Sequence, residues 1–502
     1  MEPKATPVLY CALFITLFII SSSFSAPMMA GPYIIGVLGG SNDWAIYLLG
    51  FFGIGSAIGI PLGKPIAARI GVRQTLTLFL SLFTIATFLA GMSSNYPEFL
   101  LCRFLQGLFG GPILPLLSYL FFMLPEEKMR SKLISIFVNI LISAPLIGGC
   151  FNGVTAYLSS WRYGFFGTVP WIIMLIIFLP KQLKRFSLPL KKEPFDTVGF
   201  IAFALGLSSL GFALITGQTL DWYRSPLFVS TFLIGIFFLP FFILWSLRVP
   251  CPLLDLRAFF SPTFSLGIFF VFFLMTLYFA TVTLLPLWLN LYVSYTPLWI
   301  GLLLLGMGVA AFIPPILVLK KWIRIEPYDA LLFGIFFIGI TCFYTTIFNV
   351  DINFDRIVAS RFLAGVGLAC FLPAIFELCL IQFPKERSID LIAIIQVVRS
   401  GPAAIGTCLI HTLWQRRDVF FHARLGEGLS TGSIPTETFF DKARLYEPTS
   451  DPYALLNFFL ERQSRALSLN DVFWLMGWIC VALFCLMLPI RLYSWYTNKS
   501  KS

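Results

Sequence analysis

From Val8 to Pro489 the chain alternates between long apolar stretches and short polar gaps. Each stretch runs about 18 to 25 residues, enough for a helix to cross a roughly 30 Å hydrocarbon layer. Fourteen can be counted: the first near Val8 to Ala30, the others near 44–63, 75–92, 99–122, 133–158, 162–180, 198–217, 226–246, 264–290, 299–319, 329–347, 358–382, 389–413 and 469–492. Lys4 precedes the first as a charge precedes a secretory signal. That stretch is too long for a signal core and thirteen more follow, so it reads as a retained helix. The one long polar segment, about 414–469, reads as a loop with helical character from Pro452 to Leu469. Loops of that length are usually functional or disordered.

Composition agrees with the pattern: 58% of residues are hydrophobic, 12% are charged, and the mean hydropathy is +0.87, whereas soluble domains are roughly one quarter charged. The net charge of +11 is distributed by side. One set of gaps holds Lys64, Arg69 and Arg73; Lys128, Arg130 and Lys132; Lys181, Lys184, Arg185, Lys191 and Lys192; Arg248 and Arg257; Lys320, Lys321 and Arg324; and Lys385 with Arg387. The alternate short gaps hold only Arg162, Arg224 and Arg356. Basic residues flanking spans stay in the cytoplasm, so both termini are expected there. Because the basic residues are split among short loops, no nucleic-acid face is expected. Nine of the ten cysteines fall in spans and Cys251 in a cytoplasmic loop, a distribution suited to packing and to neither a disulfide framework nor a metal site. With two histidines and no HExxH, GxSxG or P-loop, no enzymatic reaction, cofactor or metal is indicated.

An internal repeat carries the next step. Arg103 to Pro115 reads RFLQGLFGGPILP and Arg361 to Pro373 reads RFLAGVGLACFLP; similar turns follow, PEEKMR from Pro125 and PKER from Pro384. The repeats fall in the fourth and twelfth spans, as two parallel six-helix halves with two inserted helices would place them. At these residues the chain resembles the fourteen-span drug:proton antiporters of the major facilitator superfamily, the EmrB/QacA group. Further matches are Gly63 to Arg73 (GKPIAARIGVR), Ser160 to Pro170 (SWRYGFFGTVP), Asp196 to Gly199 with Gly217, Asp221 and Trp222, Pro252 to Phe259 (PLLDLRAF), Leu277 to Pro286 (LYFATVTLLP), Trp414, Arg417, His422, and Asn470 to Trp474 (NDVFW).

The resemblance implies an all-α integral membrane protein of the major facilitator fold. Residues 1–180 form one six-helix bundle, 181–263 the two inserted helices with flanking loops, and 264–502 a second bundle carrying the long external loop. It implies an exporter of small amphiphilic or drug-like molecules in exchange for protons, by alternating access in a bacterial inner membrane. A periplasmic adaptor is implied at the external loop, which a plain solvated loop would also explain. The alternatives are a metabolite transporter not coupled to protons and a receptor or scaffold that keeps the fold.

Three departures bear on mechanism. The acid the group commonly carries in its first span is Ser23 here, an alanine, Ala68, stands where an aspartate usually precedes Arg69, and the antiport motif of the fifth span survives only in part, as Ala144, Pro145, Gly148, Gly149, Asn152 and Gly153. By resemblance Gly63, Arg69, Gly71 and Arg73 form the loop that controls opening, while Pro145, Gly148, Gly149 and Gly153 also serve close helix packing. Among charged residues only Arg103, Arg361, Arg399 and Glu377 lie well inside spans, and such charges mark function unless they are satisfied locally. Arg103 either locks helices through carbonyls or couples conformations, Arg361 reads as structural, and Arg399 reads as either structural or cavity-lining. Glu377 either carries the proton or snorkels. Ser23, Gln106, Tyr278, Trp288 and Asn290 complete the substrate-cavity candidates, and Arg103 joins Glu377 as a candidate in proton coupling.

Overall fold

The computed structural model describes residues 6–499 apart from 187–189, 191, 320–324, 381–382, 384–386, 430–433 and 447–450. Of the residues used to argue topology, Lys4, Lys191, Lys320, Lys321, Arg324, Lys385 and Lys501 lie outside the described residues. The described residues contain helices, turns and no strand. Fourteen helical spans are long and apolar enough to cross a membrane: span 1 Pro7–Leu38, span 2 Trp44–Ile70, span 3 Val72–Met92, span 4 Tyr96–Met123, span 5 Lys132–Leu158, span 6 Arg162–Leu183, span 7 Thr197–Thr216, span 8 Pro226–Arg248, span 9 Pro262–Leu291, span 10 Pro297–Leu317, span 11 Pro327–Thr345, span 12 Phe354–Leu380, span 13 Ser388–Gly426 and span 14 Pro452–Tyr493.

Local chemistry sets the boundaries. The Asn95 side chain accepts from the Glu98 N–H at 2.9 Å and caps span 4, and Asp196 caps span 7 by accepting from the Gly199 N–H at 2.8 Å. Proline at the first helical position opens spans 8, 9, 10 and 11, where its missing N–H has no helical partner to lose. Gly71 turns span 2 into span 3 at φ +92°, a conformation that disfavours other residues. Asp196 also accepts from Trp245 Nε1 at 2.9 Å and the Leu253 N–H at 3.2 Å, tying spans 7 and 8 into one hairpin.

Spans 1 to 6 pack among themselves, as do spans 9 to 14; the broadest contacts between the two groups pair span 5 with span 10 and span 2 with span 13. The hairpin of spans 7 and 8 rests on spans 2 and 13. Span 2 is 89% buried over its apolar window, which places it at the centre, and span 8 only 17%, which leaves it on the outside.

The packing of span 2 on span 4 explains its glycines. A Cβ on Gly55, Gly59, Gly107 or Gly111 would collide with the carbonyl of Phe104, Leu108, Phe52 or Ser56 respectively, so the backbones touch with no side chain between them. The repeat carries the same contact: a Cβ on Gly365, four residues after Arg361 as Gly107 is after Arg103, would collide with the Met307 carbonyl of span 10.

The expected loop at 414–469 is largely helix. Span 13 continues to Gly426, a separate helix covers Ile434–Tyr446, and the last helix runs Pro452–Lys499. Two ion pairs and a hydrogen bond hold the polar extensions side by side: Arg465 Nε to Asp418 at 3.0 Å, Arg417 Nε to Asp471 at 2.6 Å, and Ser464 donating to Asp418 at 2.7 Å. Hydropathy marks only the membrane-crossing part of a helix, so a helix that continues as a charged pair beyond that part reads as loop.

Candidate functional site

The candidate site grows from Arg103, which points from span 4 toward spans 1 and 2 and is fully buried. Its Nε donates to the Leu48 carbonyl at 3.2 Å, Nη1 to the Ser23 carbonyl at 2.9 Å and to the Gln106 side chain, and Nη2 to the Phe24 carbonyl at 3.0 Å. The guanidinium lies 4.4 Å from the centre of the Phe52 ring. Gln106 in turn donates to Thr87 of span 3 at 2.9 Å. Arg103 therefore clamps spans 1 and 2 to span 4 through backbone oxygens.

Phe24, whose carbonyl Arg103 holds, sits between the two groups of spans. Its ring centroid is 4.9 Å from that of Phe52 and 5.0 Å from that of Phe279 in span 9. The Arg399 guanidinium of span 13 lies 5.6 Å from the same ring. Arg399 Nε donates to Gln396 Oε1 at 2.7 Å, and Tyr278 lies within its electrostatic reach. Tyr278 donates through its hydroxyl to the Ile142 carbonyl at 3.2 Å, linking span 9 to span 5. Neither Arg103 nor Arg399 pairs with a carboxylate among the described residues.

The remaining candidates divide. Ser23 spends its hydroxyl on the Ile19 carbonyl at 2.9 Å and offers Arg103 only a backbone oxygen. Ser23, Gln106, Thr87 and Asn152 line a cavity of about 20 Å³ among spans 1, 3, 4, 5 and 6, room for about one water. Trp288 is fully buried and its Nε1 finds no acceptor among the described residues. Asn290 donates to the Tyr295 carbonyl at 3.0 Å and holds the turn after span 9, away from the Phe24 cluster. Arg361 is tied to Thr345, which stands sixteen residues before it as Thr87 stands before Arg103, and its partners are spans 11 and 14, not a cleft between the two groups.

Glu377 lies on a separate cleft of about 110 Å³ at the basic end of the bundle, lined by Ser135, Pro314, Pro327, Ala330 and Pro373 among others. The residue is exposed, and none of the cleft's lining residues belongs to the Phe24 cluster.

Of the antiport motif, Gly148 admits Ser22 of span 1, Gly149 faces Met29 and Leu304, and Gly153 meets the Pro297 carbonyl of span 10. Pro145 interrupts the helix bonding of span 5 beside Ile142. Asn139, one helical turn before Ser143, donates across to the Ala311 carbonyl of span 10 at 2.7 Å.

At the basic end, Gly63 packs on the Pro112 carbonyl, Arg69 stacks 5.9 Å from the Phe195 ring, and Gly71 and Arg73 border a groove with Leu183 and Phe186. The missing acid at Ala68 is met from elsewhere in the chain: Lys64 pairs with Asp390 of span 13 at 2.8 Å and with Glu193 at 3.4 Å, in a cleft that Ala68 lines. Asp390, which the sequence places at a helix start, is thus half of a contact between spans 2 and 13. Nothing in a single sequence links positions 326 residues apart, nor singles out Phe24, Phe52 and Phe279 among 56 phenylalanines.

Comparison with known proteins follows the same lines. The family profile described as Major Facilitator Superfamily matches residues 13–407. The chain is 25% identical to the multidrug export protein EmrB of Escherichia coli strain K12 over 490 residues, 97% of this chain and 96% of the relative. It is 26% identical to the fatty acid resistance protein FarB of Neisseria gonorrhoeae over 464 residues, 92% and 90% of the two. Among solved structures, a bacterial homologue of the human lysosomal transporter Spinster, in an inward-facing and unoccupied conformation, superposes with a TM-score of 0.61 at 13% identity, covering 96% of each chain.

Proposed function

The chain belongs to the Major Facilitator Superfamily, and from that membership we propose that it exports small amphiphilic molecules by alternating access, in exchange for protons, across a bacterial cell membrane. The observation that carries the reading is the centre of the molecule. Two buried arginines, each on a different group of spans, adjoin one aromatic cluster: Phe24 gives its carbonyl to Arg103, and its ring centre lies 5.6 Å from the Arg399 guanidinium. A scaffold has no use for the Arg399 guanidinium there, which makes one hydrogen bond and has no countercharge among the described residues, because a buried ion left in that way costs several kcal/mol. The names of the relatives, one a multidrug exporter and one a fatty acid resistance protein, support outward movement of amphiphiles.

In this reading residues 1–180 and 264–502 are two bundles that rock about the contacts of span 2 with span 13 and of span 5 with span 10, with 181–263 outside both. Gly149 and Gly153 of span 5, which meet span 10 across the two groups, permit backbone sliding there, and the helical end of span 2 with its turn, Gly63 to Arg73, which the sequence reads as a loop, makes and breaks the basic-end contact. The basic end faces the cytoplasm. The polar helical extensions of spans 13 and 14, which expose Val419, Phe420 and Phe458, are the surface an adaptor outside the membrane would meet.

Glu377 is the proposed proton carrier. A carboxyl that alternates between a wet cleft and helix packing binds its proton in the dry state, since desolvation disfavours the charged form. Its place apart from the Phe24 cluster means that it acts through spans 10, 11 and 12 without touching substrate. In reconstituted vesicles, Glu377→Gln is expected to abolish substrate-induced proton release while the amount of protein in the membrane is unchanged. Release equal to that of the wild type rules the residue out. Substrate movement with no proton movement in the wild type turns the reading into a facilitator, the alternative that Ser23 in place of an acid favours.

A further inference from the structure

The two central arginines differ in what they have left to give. Arg103 directs Nε, Nη1 and Nη2 to protein oxygens. Arg399, 5% exposed, makes one hydrogen bond among the described residues, from Nε to Gln396, so its Nη1 and Nη2 are unengaged. One turn of span 13 presents two more unanswered groups beside it: Gln396 Nε2 and Ser400 Oγ are buried without a partner among the described residues. A buried guanidinium and a buried amide donor left in this way are costly, and the cost falls only if an acceptor arrives.

We propose that Arg399, with Gln396 and Ser400, is the headgroup site for a small amphiphilic carboxylate, and that Phe24, Phe52 and Phe279 are the apolar surface that receives its tail. This rests on the exporter reading and adds to it the charge of the cargo. With no acid at the cluster among the described residues, an anion supplies the missing countercharge, whereas a cationic amphiphile meets two like charges at low dielectric. A guanidinium takes a carboxylate through two parallel N–H donors, and the free Nη1 and Nη2 supply such a pair. The Phe24 ring covers the guanidinium, its centre 5.6 Å away, so the site becomes available when spans 1 and 13 separate.

The test uses two probes of equal chain length, decanoate and decyltrimethylammonium, with the purified full chain in lipid nanodiscs for binding and in vesicles for transport. Decanoate is expected to bind at least tenfold more tightly than the cation. Arg399→Gln is expected to weaken decanoate binding tenfold or more, and Arg399→Lys to recover part of it, since an ammonium keeps the charge without the two parallel donors. Equal or tighter binding of the cation by the wild type overturns the site, as does an Arg399→Gln protein that binds decanoate like the wild type. If Arg399→Gln does not fold, the wild-type preference and the Arg399→Lys protein decide. Transport separates the two readings. Movement of the cation alone keeps the exporter and overturns the anion site. Decanoate binding through Arg399 with no movement of either probe keeps the site and removes the exporter.

Discussion

Gly107→Ala is expected to remove transport and most of the folded protein from the membrane, although it adds a single methyl group. That methyl would fall on the Phe52 carbonyl oxygen, with Ser56 N and Phe52 C also within 3.0 Å. Its neighbours are backbone atoms of span 2, which is enclosed along its length, so neither helix can give way without breaking other contacts. Overpacking a well-filled core costs about 1 to 3 kcal/mol, and a rigid backbone puts this site at or above the top of that range. Gly365→Ala, which meets the Met307 carbonyl, is expected to behave alike. Gly401→Ala is the control: nothing lies within 4 Å of its added carbon, and alanine favours helix over glycine by about 1 kcal/mol. Thermal unfolding in detergent with a transport assay compares the three. A Gly107→Ala protein that unfolds and transports like wild type would show that spans 2 and 4 do not touch as described.

Arg103→Ala carries the second large effect. It leaves the carbonyls of Ser23, Phe24 and Leu48 buried with no donor from span 4, and each such loss costs about 1 to 3 kcal/mol. Span 1 then loses its hold on span 4 where Phe24 enters the central cluster. The expected result is a marked fall in melting temperature together with at least a hundredfold loss of transport. Arg103→Lys is expected to restore little, because one ammonium cannot reach carbonyls on two spans in the fixed fork of a guanidinium. Arg361→Ala should cost less, since Arg361 donates mainly to the hydroxyl oxygens of Thr345 and Ser360, and Thr345 keeps its own bond to the Thr341 carbonyl at 2.6 Å when that donor is lost. Equal losses for the two arginines would contradict the difference in their surroundings.

How much of this was legible follows from the range of each interaction. The fourteen spans were readable because hydropathy is a local sum, and every span has a counterpart in the structure. The extensions of spans 13 and 14 were not, because Asp418, Arg465, Arg417 and Asp471 read as polar loop until the helices that pair them are known. Arg103 was legible as a buried charge, with the lock through carbonyls among its expected roles, and the structure supplies the carbonyls. Glu377 was legible as a charge in a span, but whether it faced the centre was not, and it lies on a peripheral cleft. The pairing of Lys64 with Asp390 needs two distant helix ends to meet. The selection of Phe24 from a chain rich in phenylalanine needs the third dimension altogether.

The proposed alternating access requires the two groups of spans to part and rejoin at the basic end for cargo to cross. Lys64 and Asp390 mark that seam, their side chains 2.8 Å apart across spans 2 and 13. With the ten native cysteines replaced, Lys64→Cys and Asp390→Cys can be joined by a short reducible crosslinker and transport measured in vesicles before and after reduction. Crosslinking is expected to stop transport and reduction to restore it, with either single cysteine unaffected by the reagent. Transport that continues at full rate with the seam tied would contradict alternating access through these spans.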